Sequence, residues 1–141
     1  MSDFSAALRA EITHRADYRC EYCQLSQSGQ EATFHLDHVK PRASGGATTA
    51  ANLALACVSC SLRKAAQEFA TEPATGAEPP LFNPRSHVWA EHFRWESEIV
   101  IPLTPIGRAT VAALALNRPL ILPIRREEAA RGRHPPVPRN P

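Results

Sequence analysis

Two Cys-x2-Cys pairs, Cys20/Cys23 and Cys57/Cys60, restrict what this chain can fold into more than any other feature. Each pair is a chelating turn, and two such turns can close one tetrahedral zinc site at about 2.3 Å per sulfur. The 33 residues between them exceed the span of a simple zinc ribbon and leave room for two strands and a wide loop. Four thiolate donors leave the ion no open position for water, so this zinc is structural. Any chemistry must then happen elsewhere.

Reading the cysteines as metal ligands depends on their compartment. The start, Met1-Ser2-Asp3-Phe4, lacks the basic-then-apolar layout of a secretory leader. No apolar run approaches the roughly 18 to 20 residues of a membrane span. The expectation is a cytoplasmic protein without a membrane anchor, whose thiols stay reduced and free for metal. At 141 residues the chain is about one domain's worth of protein, with a core small enough to benefit from a metal staple.

Charge is distributed unevenly. Residues 1–80 hold seven Lys/Arg against nine Asp/Glu, and residues 81–141 hold nine against five. All the cations of the second half are arginines, whose planar fork suits phosphate. This favours a nucleic-acid partner.

Along the chain, Phe4, Ala7, Leu8, Ile12 and Arg15 fall at helical spacing, with Ser2 and Asp3 available as caps, so a helix is expected over 4–16. Residues 32–39 alternate as a strand that Pro41 stops, Ser44 to Thr49 form a loop, and 52–56 form a second short strand. Over 57–70 the pattern gives a helix with Leu62, Ala65, Ala66 and Phe69 on its apolar face and Arg63, Lys64 and Gln67 off it. A Pro/Gly-rich linker at 71–80 follows. The appendage over 81–131 carries the aromatic run Trp89, Phe93, Trp95, expected to seal it against the metal module, then a strand at 98–103. Next comes a helix with Thr104 as N-cap and Pro105 at its first position. A second helix is expected from Arg118 toward Ala130, kinked or shortened by Pro123, and residues 132–141 read as a disordered tail.

Between the cysteine pairs lies His35-Leu36-Asp37-His38-Val39-Lys40-Pro41-Arg42, then Gly45-Gly46 and Asn52-Leu53. The Asp-His pair before a proline, the Gly-Gly loop, the Asn-Leu step and the two cysteine pairs together resemble the HNH endonuclease family over about residues 17–64. The resemblance implies an α+β chain built on a ββα-metal zinc module (1–70), with an N-terminal helix and a C-terminal strand/helix appendage. It also implies hydrolysis of phosphodiester bonds in DNA, with His38 as general base and Asp37 as ligand of a catalytic Mg²⁺ or Mn²⁺. These roles suit the residues: a neutral imidazole accepts a proton near neutral pH, and a carboxylate is a hard donor for a hard cation. Neighbours in a regular strand point to opposite faces, so both can serve one site only where the strand ends or bulges.

Asn52 matches the family's middle Asn and is expected to pin the long loop, orienting His38. His35 shares a strand face with Asp37, as a second metal ligand, a phosphate contact or a half-exposed strand histidine. The family places Asn or His directly after the second cysteine pair as a further ligand of the catalytic ion, and here that position is Ser61. His92 is a remote candidate to replace it. Arg42, Arg63 and Lys64 are expected to grip backbone phosphates. No small-molecule cofactor is implied. The competing reading is a non-cleaving, zinc-stapled nucleic-acid-binding module whose metal site has degraded at Ser61.

Overall fold

A computed structural model describes residues 4–137. The chain is α+β, with five helices and two separate two-stranded antiparallel sheets in these residues. Helix α1 (Ala6–Arg15) starts two residues later than its apolar spacing suggests, because Ser5 is the N-cap and its hydroxyl accepts from Leu8 N–H at 3.0 Å. The proposed caps Ser2 and Asp3 lie outside the described residues. Ile12 is fully buried. Arg15 binds the helix to the following hairpin, donating to the carbonyls of Ala50 (2.8 Å) and Leu53 (2.6 Å), and Arg9 donates to that of Phe34 (3.0 Å).

Strands β1 (His35–His38) and β2 (Leu53–Ala56) pair with Asp37 opposite Ala54 and His38 opposite Leu53. Every residue of β2 is buried. Its other edge is covered by the first cysteine turn, where Glu21 N–H donates to Leu55 O at 2.8 Å and the Glu21 carboxylate accepts from Leu55 N–H at 2.9 Å. No open sheet edge remains there to template association.

Helix α2 (Val58–Lys64) is shorter than the expected 57–70 and is rotated from its expected phase. Leu62 and Phe69, assigned to an inward face, are 68% and 58% exposed, whereas Lys64 is 2% exposed. The cysteines explain this. Cys60 must face the metal, and Lys64, four residues on, shares its helix face. The helix stops at Ala65, which takes a positive φ of 47°.

Residues 71–80 are a folded turn rather than a loose tether. Glu72 is completely buried, accepts from the backbone of Ala74 and Thr75, and pairs with Arg108. Phe69 bridges to Pro80, and Leu81 N–H returns to Glu68 O at 2.9 Å.

In the second half, the short helix α3 (Trp89–His92) runs into β3 (Phe93–Glu96), which pairs with β4 (Ile99–Pro102). The aromatic run conceals β3 because its residues serve as core as well as strand. Helix α4 (Pro105–Ala113) begins as expected, with Thr104 Oγ1 accepting from Gly107 N–H at 3.0 Å. Helix α5 (Ile121–Ala130) is not interrupted by Pro123, which falls in the first turn, where no intrahelical N–H bond is lost. One buried cluster joins both halves, from Ile12 and Leu55 through Phe82 and Phe93 to Leu116 and Ile121. Of the expected disordered tail, residues 132–137 are described: Arg133 pairs with Glu128, and His134 stands edge-on to Trp95 with ring centroids 4.5 Å apart. Residues 138–141 lie outside the described residues. Among the described residues no helix is long and apolar enough to cross a membrane.

Candidate active site and metal centre

The four cysteines form a candidate metal centre. Their sulfurs all lie within 4.8 Å of one another, and none of the four residues is more than 3% exposed. A tetrahedron with bonds of about 2.3 Å has sulfur–sulfur edges of about 3.8 Å. Cys23 Sγ and Cys57 Sγ stand 3.7 Å apart, which fits a shared ion and is far from a disulfide. Within each pair the second backbone N–H points at the first sulfur, Cys23 to Cys20 and Cys60 to Cys57, both at 3.4 Å. These turns offset thiolate charge before any metal arrives. The donor set fits zinc.

The C-terminal half clamps this centre. Trp89 Nε1 donates to Tyr22 O at 2.9 Å, and Trp95 Nε1 to Gln24 Oε1 at 2.9 Å, so two indoles hold the first cysteine turn. The guanidinium of Arg125 lies 4.9 Å over the Trp95 ring and donates to the carbonyls of Glu98 and Leu116. Here arginine acts as buried mortar rather than as a phosphate contact.

Strand β1 ends at His38, and an open cleft of about 430 Å³ wraps that end, lined by His35, Asp37, His38 and Ser61 together with Phe4, Arg9 and Arg42. Ending the strand there brings Asp37 and His38 to one cavity although they are neighbours. Asp37 is 8% exposed, and both of its polar contacts fall on Oδ2: Tyr22 donates at 2.8 Å and Lys64 Nζ stands at 3.2 Å. Burial pushes the Asp37 carboxyl above its ordinary value, opposed by the Lys64 charge and the Tyr22 hydroxyl. His38 Nε2 lies 2.8 Å from Thr48 Oγ1, and Phe4 packs at a tilt on the imidazole. His35 Nδ1 lies 3.0 Å from Ser61 Oγ.

Asn52 ties down the loop after His38. Its amide accepts from Lys40 N–H at 2.9 Å and donates to the carbonyls of Lys40 (3.0 Å) and Ala47 (2.9 Å). Gly46 has to be glycine, because a Cβ there would overlap the Lys40 carbonyl. This bracket sets the path of the segment that carries Thr48 back to His38.

The structure departs from several expectations. Lys64 does not face solvent to grip phosphate; its phase on α2 turns it inward onto Asp37 and the His38 carbonyl, at 3.0 Å from the latter. Arg63 stays exposed on α2, bonded to Ser59 and outside the lining of the cleft, so its expected role at phosphates is unchanged. His92 is turned away against Phe82, His87 and Thr104, so it offers no replacement ligand. Sequence reasoning overlooked Tyr22, Thr48 and Arg9. Tyr22 was visible only as the residue beside Cys23, Thr48 as one polar residue of a polar loop, and Arg9 as the solvent side of an amphipathic helix.

The Asp37 carboxylate, the His35 imidazole and the Ser61 hydroxyl line the same cleft. Among the described residues the four cysteines are the only group of three or more Cys, His, Asp or Glu whose ligand atoms converge. An ion in the cleft would therefore keep several waters, as Mg²⁺ ordinarily does. Asp37, His35 and Ser61 are the residues that could hold such an ion.

No curated protein and no solved structure matches the chain. The family model described as HNH endonuclease matches residues 20–67, a span that begins at Cys20 and ends just past Lys64. Residues 20–67, with their paired cysteines and the Asp37-His38 strand end between them, carry the chain's likeness to the HNH endonuclease family.

Proposed function

We propose that the protein is a metal-dependent endonuclease that hydrolyses phosphodiester bonds in DNA at the β1 end. The observation that carries this reading is the shared cleft: Asp37, His38, His35 and Ser61 line one open cavity although neighbouring strand residues ordinarily diverge. His38 accepts the proton of the attacking water, and Thr48 fixes its ring through Nε2. Asp37 is the anionic ligand of a catalytic Mg²⁺ or Mn²⁺, with His35 and Ser61 beside it as neutral donors. When bound, that ion supplies electrostatic stabilisation of the scissile phosphate and the departing sugar oxygen. Asn52 holds the loop so that Thr48 meets His38. Arg42 and Arg9, which line the cleft, together with Arg63 outside it, contact the flanking phosphates and make binding salt dependent. The same reading puts the protein in the cytoplasm, with the four-cysteine zinc as scaffold for residues 1–70.

A second reading, retention of nucleic acid without cleavage, is favoured by one observation: an ammonium already stands beside the Asp37 carboxylate. The two are separated by incubating zinc-loaded protein with supercoiled plasmid in Mg²⁺, Mn²⁺ or EDTA, with His38→Ala in parallel. Nicking or linearisation that requires the added ion and His38 supports the nuclease. An intact plasmid with a salt-sensitive mobility shift supports the binding module and overturns cleavage.

A further inference from the structure

Lysine is among the residues least often buried, yet Lys64 is 2% exposed and is placed by the metal centre itself, four residues after the ligand Cys60 on the same helix face. Its Nζ bridges the two residues assigned to chemistry, at 3.2 Å from Asp37 Oδ2 and 3.0 Å from the His38 carbonyl. Tyr22, which lies between the ligands Cys20 and Cys23, donates to the same Oδ2 at 2.8 Å. Both cysteine turns therefore send one donor to one carboxylate oxygen. Oδ1 is the oxygen left for a cation.

Ordinary stability does not account for this arrangement. A buried ion pair usually contributes no more than well-packed apolar residues of the same volume would, since desolvation offsets the Coulomb gain. A lysine is a poor choice for filling space here. It does two things an apolar residue cannot: it lowers the net attraction of the pocket for positive charge by offsetting Asp37, and it fixes the carbonyl of the residue carrying the base.

We propose that Lys64 is a positioning residue whose ammonium is the resident counter-cation of Asp37, holding the carboxylate by Oδ2 and weakening divalent-ion binding at the site. The proposal rests on Asp37 being the ion's ligand. Its consequence runs against intuition: removing the lysine charge tightens ion binding while cutting becomes slower. A Lys64 that served only the fold would leave ion affinity in a folded variant unchanged.

Mn²⁺ binding to the zinc-loaded protein, followed by calorimetry with zinc content and near-ultraviolet circular dichroism as checks on the fold, separates the cases. The parent should bind one Mn²⁺ in the cleft and Asp37→Asn should not. If the parent binds none, or Asp37→Asn binds equally well, the Asp37 assignment fails and the inference with it. With that assignment intact, Lys64→Gln, which keeps length and hydrogen-bond donors but not charge, should bind Mn²⁺ at least about fivefold more tightly, as expected for loss of one unit charge near a poorly solvated site. Tyr22→Phe, which keeps the charge, should leave affinity within about twofold of the parent. Unchanged or weaker binding in folded Lys64→Gln overturns the inference alone. Should Lys64→Gln fail to fold, the parent gives the answer: titration with diamagnetic Mg²⁺ should move the Lys64 side-chain carbon resonance saturably, with the dissociation constant of the cleft. A resonance that does not move overturns the proposal.

Discussion

The hydroxyl of Thr48 stands 2.8 Å from Nε2 of His38, tying the imidazole at the end of β1 to a loop residue that the Asn52 amide holds in place. If His38 is the proposed base, its geometry depends on a neutral side chain outside the Asp-His pair. Thr48→Val keeps the shape and removes the oxygen, and is expected to slow plasmid cutting by about ten- to a hundredfold, the scale of a small misalignment of a reacting group. Zinc content and thermal midpoint should stay at parent values. Retention of full turnover by Thr48→Val would show that the bond does not orient the base.

The metal centre predicts a different failure. Binding of a structural zinc supplies about 10 to 16 kcal/mol in small zinc modules, comparable to or larger than the net stability of about 5 to 15 kcal/mol of a typical domain. Cys57→Ser, which removes one of the four sulfurs, is expected to lose zinc and to unfold the β1–β2–α2 module, as is prolonged exposure of the parent to a strong chelator. Circular dichroism together with metal analysis reads both.

Arg15 is the fastening between α1 and the hairpin, with two guanidinium nitrogens on the carbonyls of Ala50 and Leu53. Charged hydrogen bonds of this kind contribute about 1.5 to 3 kcal/mol each when lost from a folded protein. Arg15→Met should therefore destabilise by about 2 to 4 kcal/mol in urea titrations, and Arg15→Lys should recover little because an ammonium cannot fork to both carbonyls. A change under about 0.5 kcal/mol, the size of an ordinary surface substitution, would mean that Arg15 adds nothing to the hold that Ile12 and Arg9 already have on the rest of the module.

Glu72 gives the pH dependence. Hydrogen bonds from Thr75 and the pairing with Arg108 hold its carboxyl at about 2, well below the ordinary carboxylate value. A folded-state value lower than the unfolded one stabilises above the unfolded value and is lost as pH falls through the folded one. The stability difference between parent and Glu72→Gln should accordingly be full at about pH 6 and shrink as the pH falls from about 4.5 toward 2. Comparing the two chains cancels the acid loss of zinc that both share. A difference constant across that window would show that the carboxylate charge contributes nothing.

Much of the module is legible in the sequence, because its constraints are local and chemically severe. Four cysteines at fixed spacing, Pro41 closing a strand, and the Thr104-Pro105 start of α4 each admit few conformations. The phase of α2 is less legible. Leu62, Ala65 and Phe69 make a plausible apolar face, and only the requirement that Cys60 face an ion turns Lys64 inward instead. Strand β3 is hidden because Phe93 and Trp95 satisfy core and strand at once, with Ser97 at a positive φ of 53° turning the hairpin without a glycine to announce it. Glu72 and Thr75 build a closed turn from residues whose composition reads as a linker. At the active end, Asp37 and His38 stand out by type, whereas Tyr22, Thr48 and Lys64 acquire meaning only from contacts 15, 10 and 26 residues away in sequence.

The indole clamp has a consequence for how long the protein keeps its metal. Every cysteine is at most 3% exposed, and Trp89 and Trp95 are bonded across the turn that carries Cys20 and Cys23, so the C-terminal half covers that turn. Loss of a metal held there, and attack by peroxide, should then depend on how often β3 and α5 open, and become independent of reagent concentration once attack outpaces reclosing. The segment outside the matched family region acts as the timekeeper of the one inside it.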